Sequence, residues 1–249
     1  MRAFILAAAR DTELDPLNQD RPRCMLKLKG RSILEHQVDA FVANGIEDII
    51  VIGGRRHRGI EHPGVRVIPH EVHGDEATLM GMFSAGPLLT GEVLVSHGHI
   101  VFGPETVSGL LHDHACASLA VDRSWSKTHE RLDGGSIKQP DLCETTPGEL
   151  VTRLSPFVTP DKALGEFIGL GRFSSSLTAR LWAHYLRARA NGLERPFGEA
   201  PSLRQAHLTD VLNAAISQGV LMRAIPIRGG WRKIDTVHDL ERAQAADYW

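Results

Sequence analysis

Short apolar blocks alternate along the first half of the chain with stretches whose apolar residues recur at helical spacing. Residues 4–9, Phe-Ile-Leu-Ala-Ala-Ala, form an unbroken apolar run, the pattern of a strand buried on both faces. Residues 10–29 are a polar loop carrying Asp11, Asp15, Pro16, Asn18, Asp20 and Pro22; twenty loop residues inside a compact domain point to function. From Ser32, Ile33, Leu34, Val38, Phe41 and Val42 repeat at helical spacing, and Asn44-Gly45 supplies a C-terminal stop. Residues 49–54 and 65–68 read as the second and third strands, 76–89 as a helix, 92–96 as a strand running into His97-Gly98-His99, 105–112 as a helix and 117–122 as a strand.

Such alternation predicts an α/β fold, a mostly parallel Rossmann-like sheet covered by helices on both faces, with strands 3–8, 48–52, 92–96 and 117–121 side by side. Residues 123–165 break the rhythm with Gly134-Gly135, Pro140, Pro147-Gly148, Pro156 and Pro160, which predicts a small antiparallel excursion. Regular patterning returns at 166–170 (strand), 174–190 (helix), 206–218 (helix), 220–227 (strand) and 236–246 (helix). Residues 1–249 are therefore expected to form one domain, with 123–165 and 194–206 as lid or insertion segments.

Composition narrows the classes. The chain has 249 residues, 42% hydrophobic and 23% charged, enough apolar material to offset chain entropy. Twenty-eight Lys and Arg against 30 Asp and Glu leave a net charge of -2, so no strong field draws nucleic acid or an anionic membrane. Three widely spaced cysteines, Cys24, Cys116 and Cys143, form no CxxC pair, which argues against a zinc knuckle or a redox dithiol. The opening apolar block is short for a signal peptide and too short to span a bilayer. A cytoplasmic protein is the expectation, with a homodimer left open.

In open α/β sheets ligands gather at the carboxyl ends of the strands. Four such ends carry polar punctuation: the loop after Ala9, His97-Gly98-His99, Asp122-Arg123, and Asp235 after Gly229-Gly230-Trp231. His112-Asp113-His114-x-Cys116 holds zinc-type donors, but its place at a helix end favours a solvated turn. His97 and His99 are alternate residues and share a side if the strand continues, so with Asp235 they form a candidate metal site.

Residues 6–10 (LAAAR), Asp20-Arg21-Pro22-Arg23-Cys24-Met25-Leu26, then Gly30-Arg31-Ser32-Ile33-Leu34, resemble the opening of the sugar-phosphate and choline-phosphate nucleotidyltransferases. The likeness continues through Ser96-His97-Gly98-His99, Val121-Asp122-Arg123-Ser124-Trp125, Glu166-Phe167-Ile168-Gly169 and Leu208-Thr209-Asp210-Val211-Leu212. It ends on Gly229-Gly230-Trp231-Arg232-Lys233-Ile234-Asp235-Thr236, its most specific piece. The pattern is most similar to the cytidylyltransferases acting on phosphocholine and small phosphonates. The resemblance implies a GT-A-like fold and transfer of CMP from CTP, or a related triphosphate, to a small phosphate or phosphonate acceptor with release of pyrophosphate. It implies Arg23 and Asp235 as catalytic residues, and Leu6, Ala7, Ala8, Arg10, Arg23, Thr78, Gly81 and Gly98 around the nucleotide. Asp122, Glu166 and Trp231 would line the acceptor pocket, and Mg²⁺ would bind at His99 and Asp235.

The chain departs from the family pattern at three places. Asp11-Thr12-Glu13 stands where the family loop has glycines and an arginine, and a like charge near a triphosphate costs about 1–4 kcal/mol. The family's metal aspartate is His99, which suits Mn²⁺ or Zn²⁺ better than Mg²⁺. The base-reading segment, residues 77–81, lacks the usual amide. Two alternatives therefore accompany the enzyme reading: a non-catalytic binding or regulatory relative, and a repurposed metal-dependent enzyme using His97, His99 and Asp235.

Overall fold

The computed structural model describes residues 1–8, 14, 17–71, 78–126 and 140–246. Its centre is a nine-stranded, mostly parallel sheet of GT-A-like architecture. Strands β1 (Arg2–Ala7), β4 (Asp48–Gly53), β5 (Arg66–Pro69) and β6 (Val93–His97) run parallel in the order β6-β1-β4-β5. Along β1 the side chains alternate: Phe4 and Leu6 enter one apolar cluster, Ala3 and Ile5 the other. Both faces are thus dry, which is why the strand reads as an unbroken apolar run. Helices α2 (Thr78–Ser84), α4 (Ser175–Ala190) and α5 (Leu208–Ser217) contribute to the first cluster, α1 (Ile33–Val42) and α3 (Pro104–Leu111) to the second.

One neighbour relation differs from the expectation. Strand β8 (Ala117–Asp122) does not lie against β6; β11 (Ala163–Phe173) runs between them, antiparallel to both. β12 (Met222–Ile227) pairs parallel with the far side of β8. At eleven residues β11 is long enough to bond β6 and β8 near its end and β8 and β9 (Leu142–Thr145) near its start, with β10 (Val151–Ser155) beyond β9. The antiparallel excursion is therefore part of the main sheet.

Smaller features also depart from the pattern reading. The segment read as one polar loop holds a 3₁₀ turn, Arg23–Met25, and a hairpin of β2 (Lys27–Leu28) with β3 (Arg31–Ser32). Strands of two residues leave no periodicity to read. The helix expected over 76–89 is α2 followed by a 3₁₀ turn at Gly86–Leu88, with Gly86 at φ +53° ending the α-helix; residues 76 and 77 lie outside the described residues. A second sheet was not foreseen: β7 (Ile100–Phe102) pairs antiparallel with β13 (Trp231–Lys233).

Helix starts follow the sequence. Ser32 and Glu35 form a reciprocal capping box on α1, and Thr236 and Asp239 form another on α6 (Val237–Ala245). Ser174 caps α4, its hydroxyl accepting from Leu177 N–H. No helix among the described residues is long and apolar enough to cross a membrane.

Candidate active site

The carboxyl ends of β1, β4 and β6 share one edge, and glycines let backbone segments meet there. Gly98 N–H donates to Leu6 carbonyl (2.8 Å), and a Cβ on Gly98 would sit 2.9 Å from Ala7 Cα. A Cβ on Gly54 would sit 2.9 Å from Ala8 carbonyl. Gly81 on α2 faces Ala8, His70 and Ile52 at van der Waals distance. Leu6, Ala7, Ala8, Gly81 and Gly98, all expected around a nucleotide, thus converge at one edge. Thr78 opens α2, and its buried hydroxyl has no hydrogen-bond partner. Arg10 and residues 11–13 lie outside the described residues, as does residue 77 of the base-reading segment.

The centre is built by the small β7–β13 sheet. Ile234 N–H donates to His99 carbonyl (2.9 Å), which continues the pairing and carries Asp235 to the β6 edge. Asp239, part of the α6 cap, accepts from Asp235 N–H (3.1 Å). Arg23, buried at the start of its 3₁₀ turn, donates to Asp235 Oδ1 (2.6 Å) and to Ile234 carbonyl (3.3 Å). Lys233 Nζ lies 2.9 Å from Asp235 Oδ2, and His99 Nε2 lies 3.7 Å from Asp235 Oδ1. The expected closeness of His99 and Asp235 is present, with two cations added.

His97 and His99 do share a side, though by a different route from the one expected: β6 ends at His97, and a turn at Gly98 brings the rings into a stack, centroids 5.3 Å apart and planes 19° from parallel. Gly169, at φ +85°, makes room, since a Cβ there would lie 2.3 Å from His97 Nδ1. His97 Nε2 is buried without a partner. Burial first, then the charges of Lys233, His207 and Arg23, push the His97 imidazole down to about 3. Burial and Arg23 likewise hold His99 well below its ordinary value. Burial alone would raise the Asp235 carboxyl, but the positive charges of Lys233 and Arg23 outweigh it and keep it ionised. Burial opposes the charge on Lys233, and Asp235 overcomes that and keeps the ammonium. At neutral pH the cluster is two neutral imidazoles, two cations and one carboxylate, a net charge of +1.

Gln37 holds this turn from below. Its amide nitrogen donates to the carbonyls of His97 (2.9 Å) and Ile100 (2.7 Å), and its oxygen accepts from Ser96 Oγ (2.9 Å). Neither Gln37 nor Lys233 was among the residues singled out from the sequence. Nor was the basic loop after β4, with exposed Arg55, Arg56 and Arg58, whose end packs on the 20–22 segment through Gly59 and Pro22.

The acceptor-side residues have other occupations. Asp122 is buried and accepts from Ser124 N–H (2.8 Å), Gly229 N–H (3.1 Å) and Trp231 Nε1 (2.9 Å). It ties the Gly229-Gly230-Trp231 turn to β8. Trp231 is packed in the second apolar cluster, with no open ring face to receive a cation. Glu166 is buried opposite Asp122 in the β11–β8 register. Near it lies Asp141, whose carbonyl accepts from Phe167 N–H (2.8 Å); burial first, then Glu166, Asp210 and Glu199, push the Asp141 carboxyl up to about 6 against the pull of Lys233.

The residues do not fit the expected Mg²⁺. Magnesium requires oxygen donors about 2.0–2.1 Å away in near-octahedral geometry. Here the one carboxylate has both oxygens engaged by cations, and the other donors are imidazoles. Nor do they suit Mn²⁺ or Zn²⁺, because nearly parallel stacked rings direct their in-plane lone pairs alongside each other, not to one point. No group of three or more His, Cys, Asp or Glu among the described residues is arranged to hold a metal. His112 and Asp113 form the turn expected of them: His112 Nδ1 bonds Ser108 carbonyl, and Asp113 pairs with Arg223 and Ser118.

Comparison with known proteins bears on the family and the fold. The family profile described as "MobA-like NTP transferase domain" matches residues 3–154, more than half of the chain. CTP:phosphoglutamine cytidylyltransferase of Campylobacter jejuni is 24% identical over 97% of this chain and 98% of its own length. CTP:phosphocholine cytidylyltransferase of Streptococcus pneumoniae superposes with a TM-score of 0.76 at 15% identity, covering 98% of this chain and 97% of that one. Inositol-1-phosphate CTP transferase of T. maritima superposes with a TM-score of 0.72 at 14% identity, covering 98% and 96%.

Proposed function

Because the chain belongs to the MobA-like NTP transferase family and is a nucleotidyltransferase, we propose that it moves CMP from CTP to a phosphate or phosphonate oxygen of a small acceptor. The observation that carries this reading is the meeting of Arg23 and Lys233 on Asp235 at the carboxyl end of β6, beside the backbone edge formed by Leu6, Ala7, Ala8 and Gly98. Two anions must approach in line, and fixed positive charge beside them lowers the barrier without covalent help from the protein. The acceptor oxygen attacks the α-phosphorus and pyrophosphate leaves.

In this reading Arg23 contacts the triphosphate, and Asp235 orients Arg23 and Lys233. Thr78 offers its free hydroxyl to the base, with Gly81 beneath it. Arg10 adds charge from the loop after β1, and magnesium arriving with the triphosphate is part of the substrate. Glu166 faces the acceptor, while Asp122 and Trp231 shape that side by holding the turn at 229–231. The chain works as one domain, with 123–165 and 194–206 as lid or insertion segments; residues 127–139 of the first lie outside the described residues. Similarity along nearly the whole chain to CTP:phosphoglutamine cytidylyltransferase favours cytidine over the uridylyl- and thymidylyltransferases that also match.

The test is pyrophosphate release from CTP, UTP, GTP and ATP with phosphocholine, 2-aminoethylphosphonate and phosphoglutamine. CTP-dependent release with at least one acceptor is the expected result. CTP binding without turnover on any acceptor overturns the transfer step, and failure to bind any triphosphate favours the non-catalytic binding or regulatory relative instead.

A further inference from the structure

Resting on the nucleotidyl-transfer reading, we propose that Lys233 supplies, as a fixed ammonium at Asp235, the positive charge that a protein-held divalent ion provides in related enzymes. Enzymes of this family generally use divalent metal ions. In this chain the aspartate that matches the metal ligand is covered by cations on both oxygens, 2.6 Å to Arg23 and 2.9 Å to Lys233. A divalent ion placed on either oxygen would share that oxygen with a cationic nitrogen and would face its charge.

The placement follows from the backbone. Lys233 ends β13 and Asp235 lies two residues on, so both project to the same side of an extended segment. Ile234 between them is fully buried in the third apolar cluster with Leu14, Leu28 and Val101, which fixes the segment's face. The Lys233 side chain keeps 30% of its exposure, against 11% for Asp235. It is anchored by the carboxylate and still open to a ligand at the edge. The two departures are mutually consistent: an imidazole, His99, stands where the family pattern has a metal-binding carboxylate, and the Lys233 ammonium lies 2.9 Å from the carboxylate that remains.

In the transfer step the acceptor oxygen forms a new bond to the α-phosphorus, and the bond to the α,β-bridging oxygen breaks. That electron pair leaves with pyrophosphate. Lys233 and Arg23 stay protonated throughout and stabilise charge on the equatorial oxygens.

The test uses the full chain in two measurements. Titration of Mn²⁺ into nucleotide-free protein, followed by electron paramagnetic resonance, reads the site directly. Wild type should show only weak binding, and Lys233→Ala combined with His99→Asp should bind Mn²⁺ roughly 100-fold more tightly. With saturating nucleotide and acceptor, Lys233→Ala should lower kcat roughly 100-fold with KM little changed, and Lys233→Arg should restore most of it. One micromolar Mn²⁺ site per wild-type chain, or full turnover by a folded Lys233→Ala protein, overturns the proposal. If no acceptor supports turnover, the transfer reading fails on its own assay, while the Mn²⁺ titration still decides whether Lys233 excludes a metal from Asp235.

Discussion

Gly169→Ala tests how the site is held open. A Cβ at this position would lie 2.3 Å from His97 Nδ1 and 2.7 Å from its Cγ, well inside contact distance, and the backbone sits at φ +85°. Two costs are separable. An L-residue in the left-handed region costs about 1–2 kcal/mol. Forcing the buried imidazole aside adds an overpacking cost of about 1–3 kcal/mol. Gly169→Ala should therefore destabilise by about 2–5 kcal/mol in urea unfolding with an unchanged m-value. In a His97→Ala background the second cost disappears and only the backbone strain of about 1–2 kcal/mol remains. The coupling from the double-mutant cycle should be about 1–3 kcal/mol. Turnover should fall with Gly169→Ala alone, because the displaced ring disturbs the stack with His99. Equal costs in both backgrounds would refute the steric argument.

Three further outcomes are expected. Asp141 has its carboxyl pushed up to about 6 from an ordinary 3.8, so the native state loses stability as pH rises from about 4 through 6; Asp141→Asn should stabilise by about 2–3 kcal/mol at pH 7, a gain that vanishes below pH 4 in urea melts run across pH. Gln37→Leu strips partners from the carbonyls of His97 and Ile100 and from Ser96 Oγ, and should cost about 2–4 kcal/mol in unfolding free energy while lowering kcat. Thr78→Val removes a buried hydroxyl that has no partner in the free protein, so stability should hold or rise slightly, while the KM for CTP rises about 5–10-fold; an unchanged KM removes Thr78 from the base contact.

The sheet was legible where burial on both faces writes an unbroken apolar run, as in β1, β4 and β6, and the helices where apolar residues recur at helical spacing, as from Ile33 to Val42. Strand order was less so. β11 reads from the sequence as a short strand over 166–170, and the eleven-residue length that lets it serve two sets of neighbours emerges only in the fold. Register between distant segments depends on tertiary packing that local pattern does not encode. The β7–β13 pair illustrates this: each strand has three residues, too few for a period, yet their pairing carries Asp235 to His99.

The polar half of the site shows which signals the sequence does hold. Asp235 and His99 stood out because each follows closely on a strand end. Lys233 lies two residues before Asp235, and in an extended segment that spacing alone places an ammonium beside the carboxylate, so the ion pair was available from alternation. Gln37 carried a stronger mark. The apolar stripe of α1 runs through Ile33, Leu34, Val38 and Phe41, all buried, and position 37 falls within it. An amide on a buried stripe must satisfy its donors and acceptor internally, and the partners capable of this are backbone groups in an irregular turn. A polar residue inside a helix's dry face therefore points to a nearby chain reversal in need of support. Here that reversal is the His97-Gly98-His99 turn, the point where the site's two imidazoles meet Arg23, Lys233 and Asp235.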